Sequence, residues 1–425
     1  MKFRAIITVL ICIAWVLAAV ASPRPALAEN QEVKQAFERG LEHYEKGQYE
    51  QASKEFVRVL SLDPDHGDAL FNLAQCHLFL KKWDKAEAAF KKSIEKSANR
   101  ADAHSGLARV YLRTGRADLA AKEANRALEI DPSFGAARYT LGQIAFEQGD
   151  YTKALAHFRL LEKNVPEDPE VHYRLGQSLY LLGRYPESEK SYRKAIEIYP
   201  EFPEALTNLG LTLAAMDRHP EAIDALKRAL AADPKLAEAH YNLGIEYMET
   251  GNLQAARDAF DQAVRLDPKN PRPILNLGLA RFNLGEYDAA QAAFEKAAAL
   301  EPGNADAHYN LGLVHQRRQE HTKALAAFTR SAQIDGSKPD VHYRLGLTYY
   351  ALEQDEQSEA ELLESIRLNP GLDLAHFALG LLYKETGRGA KALESFRKCL
   401  EITDKESVRR KCREMISQIE NSGGT

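Results

Sequence analysis

The sequence predicts an all-α solenoid, a stack of tandem helical hairpins. Three observations predict it: prolines recur on a 34-residue ladder, small residues recur at one point of each period, and no Pro/Gly/Ser-rich linker or low-complexity tract interrupts the pattern. A chain of 425 residues would ordinarily divide into roughly two or three domains. Its even mixture of Ala, Leu, Glu, Lys and Tyr, with both charge signs throughout, reads instead as one element repeated.

Taken from the start, residues 1–28 read as an export signal. Lys2 and Arg4 precede an apolar run from Ala5 to Val20, and Ala26-Leu27-Ala28 before Glu29 fits a small-x-small cleavage site. Ala19-Val20-Ala21 is a second candidate site, and an uncleaved N-terminal anchor is the alternative reading. The run is short for a membrane span, and Pro23 and Pro25 follow it. No Cys stands at either cleavage point, so a lipidated N-terminus is not expected.

The ladder then sets the register. Pro64, Pro132, Pro166, Pro200, Pro234, Pro268, Pro302 and Pro370 are separated by 34 residues or a multiple of it, and Ala98, Gly336 and Asp404 fill the remaining slots. Eleven repeats follow: 33–66, 67–100, 101–134, 135–168, 169–202, 203–236, 237–270, 271–304, 305–338, 339–372 and 373–406. Position 8 of a repeat is always Gly or Ala, position 20 is Ala or Ser, and position 24 is mostly aromatic, as in Phe56, Phe158, Phe260 and Phe396. Positions 4, 7, 8 and 11 share one helical face and 20, 24 and 27 share another, so each repeat reads as two helices. Small residues at 8 and 20 let the backbones approach, and the ring at 24 fills the space beside them. A turn, often with Gly, separates the helices, and the proline ends the second.

This pattern resembles the tetratricopeptide repeat family over residues 33–406. The resemblance implies a right-handed superhelix of antiparallel helix pairs, with the first helices lining a concave groove. Such arrays need polar ends. Thr403-Asp404-Lys405-Glu406 has the spacing of a capping box, and Val408, Cys412, Met415, Ile416 and Ile419 form one apolar stripe after it. Residues 407–425 therefore read as a C-terminal capping helix with a frayed tail. Of the cysteines outside the signal, Cys399 and Cys412 either pair across the last two helices or, with Cys76, act as small apolar fillers.

Charge and motif content narrow the function classes. Without Lys2, Arg4 and Arg24 the chain carries 53 basic and 61 acidic residues, a net of −8, which argues against nucleic acid as a partner. No phosphate-loop, dinucleotide, zinc-protease or nucleophile-elbow motif occurs, and little chain lies outside the repeats. We therefore expect no enzyme, no cofactor, no metal and no small-molecule substrate. His104, His172, His240, His308, His342 and His376 all hold position 4. One recurrent slot on separate hairpins reads as packing rather than a metal array.

The family's geometry turns positions 2, 5, 6, 9, 12 and 13 of each first helix toward the groove. Position 6 is Asn72 in the second repeat and Asn208, Asn242, Asn276 and Asn310 in four consecutive ones. Such a row resembles the asparagine ladder of the repeat domain of O-linked N-acetylglucosamine transferases, which implies amide contacts to the backbone of an extended polypeptide. Ordinary repeat consensus is the competing reading. Tyr173, Tyr241, Tyr309 and Tyr343 at position 5 are candidate aromatic anchors, with inter-repeat packing as their alternative. Position 9 is Gln75, Arg109, Gln143 and Gln177 early but Leu or Ile from Leu211 onward, and Arg174 and Arg344 hold position 6 as possible contacts for an acidic group. Chaperone-binding members clamp a carboxylate with Asn at position 9, and no repeat here has it. An acidic run from Glu353 to Glu364 and a basic stretch from Lys384 to Arg413 read as solvated faces, or as docking sites for a charged partner or the membrane surface. The sequence thus points to an exported, most simply periplasmic, scaffold for protein or peptide partners. A fixed subunit of an envelope machine for pilus, secretion or polysaccharide export is the alternative.

Overall fold

A computed structural model describes residues 31–421, which are helical apart from short turns, and the expected signal peptide and the last four residues lie outside them. Twenty-three helices run among the described residues, in two compact bodies divided after Pro200. In the N-terminal body, α1 (Gln31–Glu45) pairs with α2 (Tyr49–Leu62), α3 (Gly67–Phe79) with α4 (Trp83–Lys96), α5 (Ala101–Arg113) with α6 (Ala117–Ile130), α7 (Gly135–Glu147) with α8 (Tyr151–Asn164), and α9 (Pro169–Leu181) with α10 (Tyr185–Ile198). The C-terminal body continues with α11 (Pro203–Ala214) and α12 (His219–Ala232), α13 (Ala237–Glu249) and α14 (Leu253–Leu266), α15 (Pro271–Asn283) and α16 (Tyr287–Leu300), and α17 (Ala305–Arg317) and α18 (His321–Ile334). It ends with α19 (Pro339–Ala351) and α20 (Asp355–Leu368), α21 (Asp373–Glu385) and α22 (Gly389–Ile402), and a last helix α23 (Glu406–Asn421).

Hairpin spacing is set where the position-24 ring lies against the position-8 glycine. A Cβ built on Gly244 would stand 2.5 Å from Phe260 Cε1, and one on Gly40, Gly142 or Gly380 2.7 Å from the matching phenylalanine. The two repeats with Ala in that slot adapt differently. In the second, Ala74 displaces Phe90, whose ring lies against Gly106 of the next repeat; in the third, Ala108 faces the small Ala124. Position 20 is fully buried, and where Ser replaces Ala its hydroxyl is satisfied: Ser188 and Ser358 donate to the Gly176 and Gly346 carbonyls at 2.8 and 2.9 Å.

The turn inside each hairpin is equally regular. Position 15 has positive φ in all eleven repeats: Gly in seven, but Lys81, Asp217, Gln319 and Glu353 in the other four. Side chains rarely adopt this left-handed conformation, and there they pay for a turn that glycine makes freely. Asp168, Asn270 and Asn304 cap first helices, accepting from backbone N–H groups one turn on.

First helices of successive repeats touch within the C-terminal body, α11 with α13, α13 with α15, α15 with α17 and α19 with α21, whereas second helices make no comparable contact. Helices crowded on one side of a stack lie on the inner side of its bend. The first helices therefore line the inner face.

At the C-terminus, the apolar side of α23 docks as the stripe predicts: Met415, Ile416 and Ile419 pack with Leu382, Phe396 and Leu393. Cys399 and Cys412 form a buried disulfide between α22 and α23, with Cα atoms 6.7 Å apart. The capping box does not form. Thr403 donates to Asp373 at 2.6 Å, so its hydroxyl ties the start of the cap to α21, and Glu406 faces Arg413. No helix of the described residues is long and apolar enough to cross a membrane.

Two measurements test these contacts. Gly244→Val should cost about 1–3 kcal/mol, and pairing it with Phe260→Ala should cost less than the two changes summed. Circular-dichroism melts check this, and a Gly244→Val protein as stable as its parent removes the ring-on-glycine account. Glu353→Gly should instead raise stability by about 0.5–1 kcal/mol, because it releases a strained φ, as read from urea denaturation.

Candidate functional site

The inner face is built from what one helical turn presents beside the hairpin core. Position 9 lies one turn after positions 5 and 6, so a first helix can present a ring, an amide and an aliphatic group together, as α13 does with Tyr241, Asn242 and Ile245 and α17 with Tyr309, Asn310 and Leu313. In the C-terminal body the aliphatic groups form a stripe, Leu211, Ile245, Leu279, Leu313, Leu347 and Leu381, each half-buried. Ile245, Leu279 and Leu313 also pack against clusters that include the position-24 ring of their own repeat, so only part of each side chain is left to the inner face.

The asparagine row sits deeper than the stripe. Asn242 and Asn310 are only 9% and 7% exposed, Asn208 and Asn276 are half-buried, and Asn72, in the N-terminal body, is 6% exposed. Asn276 Nδ2 donates to the Tyr241 hydroxyl of the preceding repeat at 3.1 Å. Asn242 Nδ2 is buried without a hydrogen-bond partner. A buried donor left unpaired costs about 1–3 kcal/mol, which a ligand carbonyl would recover.

Tyr173, Tyr241 and Tyr309 pack against the position-24 ring of their own repeat, and Tyr241 also meets Arg272 and Asn276 of the next. Ring centroids are 5.9 Å apart for Tyr173–Tyr192 and Tyr241–Phe260 and 5.6 Å for Tyr309–Phe328. Tyr343 faces the Leu362 cluster, since its repeat has no ring at position 24, and the Arg344 guanidinium lies 5.5 Å from its ring centre. Tyr173 is 5% exposed and its hydroxyl accepts from Gln177 Nε2 at 2.9 Å. These rings are first of all part of the hairpin core, and the half-buried ones show only an edge to the inner face.

The two arginines at position 6 behave differently. Arg174 Nε donates to Glu170 at 2.8 Å and to the Tyr139 hydroxyl at 3.2 Å, while Tyr139 donates to Glu170 at 2.9 Å. Burial beside the Glu170 carboxylate pushes the Tyr139 phenol well above its ordinary range. Arg344 reaches only Gln316, at 3.3 Å, and its Nε is buried without a partner. Asp340 stands one turn before Arg344, where Glu170 stands before Arg174, but is one methylene shorter and makes no contact with it.

The histidine row is structural. Nε2 of His104, His172, His240, His342 and His376 bonds to the carbonyl six residues earlier, at 3.3, 2.7, 3.1, 3.1 and 3.1 Å, and that carbonyl is always the proline slot. A carbonyl in the inter-repeat turn lies outside both helices and has no helical donor, so the imidazole supplies one. Among the described residues no group of three His, Cys, Asp or Glu side chains is arranged to hold a metal ion. Cys76 is fully buried, and burial pushes its thiol up to about 12.

Sequence reasoning passed over the clasps between repeats. Tyr111 and Arg116 both donate to Glu87 of the preceding repeat, and Tyr383 and Arg388 meet Glu359 in the same way. The hydrogen bond from Arg116 holds the Glu87 carboxyl below its usual range. The signal was the recurrence of Glu at position 21 before Tyr and Arg at positions 11 and 16 of the next repeat.

Helical hairpins stacked in register, with their first helices on the inner face, define a class of repeat scaffold. The chain belongs to the tetratricopeptide repeat family: models described as tetratricopeptide repeat match residues 136–203, 207–271 and 275–339, residues 43–110 and 82–144, and residues 339–372 and 374–406. Proteins of this family generally act as non-enzymatic scaffolds. No curated protein matches the chain. Among solved structures it is similar to the APC/C hetero-tetramer Cut9–Hcn1, at 14% identity over 92% of this chain and 97% of that one, with a TM-score of 0.49. It is also similar to pilF of Pseudomonas aeruginosa, at 22% over 52% and 96% with a TM-score of 0.44. YrrB, described as a TPR protein with an unusual peptide-binding site, matches at 24% over 44% and 96% with a TM-score of 0.40.

If the position-5 rings are core, Tyr241→Ala should lower stability by about 2–4 kcal/mol, whereas Asn276→Ala should cost about 1 kcal/mol or less. Urea denaturation of the two variants checks this, and equal small losses would remove Tyr241 from the core.

Proposed function

We propose that the chain is an exported, non-catalytic scaffold of the cell envelope that binds extended segments of partner proteins on the inner face of its C-terminal body. The observation that carries this reading is the stripe of half-buried aliphatic side chains at position 9, with side-chain amides one turn away at position 6. Aliphatic groups left half open give a segment apolar area to cover, and amides give its backbone partners. The buried, unpaired Asn242 Nδ2 adds a donor with no partner inside the protein.

Export rests on residues 1–28, whose pattern is that of a signal peptide, and is supported by the Cys399–Cys412 disulfide, a bond that persists in oxidising compartments.

The test uses residues 29–425 and an array of unstructured twelve-residue peptides, read by fluorescence anisotropy. Changing Asn208, Asn242, Asn276 and Asn310 together to Ala should weaken peptide binding about tenfold or more while the helical circular-dichroism signal is kept. Unchanged binding by the folded variant removes the amide row from the mechanism; no binding to any peptide by the parent removes the groove reading itself.

A further inference from the structure

Building on the reading of the inner face as a polypeptide-binding surface, we infer that repeats eight to eleven select one class of segment. It is a polyproline-II-like stretch with an aliphatic side chain at every third residue and a carboxylate seated on Arg344.

The spacing comes from the stripe. Leu279, Leu313, Leu347 and Leu381 occupy the same position on α15, α17, α19 and α21. Packed helices lie about 8–10 Å apart, and α15 touches α17 and α19 touches α21, so the leucines of each of these pairs offer apolar area at that interval. A β-strand, rising about 3.3 Å per residue with side chains alternating, returns to one face about every 6.6 Å and falls out of step. A polyproline II helix has three residues per turn at about 3.1 Å each, so every third side chain returns to the same face after about 9.3 Å. Its backbone has no internal hydrogen bonds and leaves carbonyls for an amide such as that of Asn310, which flanks the stripe.

The charge comes from Arg344. It continues the asparagine column, one repeat beyond Asn310 and one turn before Leu347. Its Nε is buried and unpaired, its only hydrogen bond is to the neutral Gln316 amide, and Asp340 does not contact it. Arg174, at the same position in another repeat, shows what fills such a slot when it is filled from within: the Glu170 carboxylate, at 2.8 Å. A carboxylate brought by the ligand, beside the aliphatic residue that covers Leu347, supplies what Asp340 fails to reach. Charge-assisted hydrogen bonds of this kind are about twice as strong as neutral ones.

The experiment uses residues 29–425 and four labelled peptides, read by fluorescence anisotropy. The first carries Leu at every third position, Pro, Ser and Gln between, and Glu beside its third Leu. The second replaces Glu by Gln, the third places the same Leu residues at every second position, and the fourth reverses the first. The first or its reverse should bind about tenfold or more tighter than the second and third. That preference for Glu over Gln should disappear in Arg344→Gln and survive in part in Arg344→Lys, with circular dichroism unchanged in both. Equal binding of Glu and Gln peptides by the parent, or a Glu preference undiminished in Arg344→Gln, overturns the anion site. Tighter binding of the every-second peptide overturns the three-residue register. If none of the four binds while other unstructured peptides do, the inference fails and the groove reading stands; if no peptide of any sequence binds, both fail.

Discussion

The rest of this structure depends on an aromatic ring lying against a glycine Cα. With no Cβ at position 8, the two helices of a hairpin close on the ring at position 24, and their separation is set by its size. Where Leu226 and Leu362 replace the ring, their branched ends occupy the same place over Gly210 and Gly346. The exceptions follow the same rule: an alanine at position 8 is accompanied either by a ring that moves to the next repeat, as Phe90 does, or by no ring, as at Ala124. Because each hairpin is set by the same contact, errors in spacing do not accumulate along the stack, and one register of first-helix side chains is carried from repeat to repeat.

That register gives each first helix two duties. One face closes the hairpin, and the neighbouring face is left for the inner surface, where the residues divide by depth. Rings at position 5 reach back into the core, amides at position 6 sink into the seam between first helices, and position 9 stays nearest the open side. In the N-terminal body position 9 holds Leu41, then Gln75, Arg109, Gln143 and Gln177, with Gln75 buried and Gln177 drawn into the Tyr173–Arg174 network. In the C-terminal body it holds Leu and Ile. The two bodies therefore offer different chemistry at position 9 from one backbone plan: unbroken aliphatic in the second, mostly polar in the first.

Much of the fold was legible because it is written in local periodicity. The spacing of apolar residues, the small residues at positions 8 and 20 and the stripe from Val408 to Ile419 each depend on helical geometry alone. The histidine slot was also legible as architecture, although its partner, the carbonyl of the proline slot, was not. What escaped lies across seams. Thr403 has the spacing of a capping box, yet it bonds to Asp373, thirty residues earlier, which the folded chain places beside it.

The sequence by itself determined a stack of helical hairpins, their register, and which residue types stand at each level of the inner face, since period and side-chain volume decide these. Only the tertiary structure decided which polar groups are already spent. Asn276 is tied to Tyr241 and Arg174 to Glu170, while Asn242 and Arg344 keep a buried donor unpaired. The physical reason is reach: a hydrogen bond is made or missed within a few tenths of an ångström, and the single methylene that separates Glu170 from Asp340 is enough to decide it.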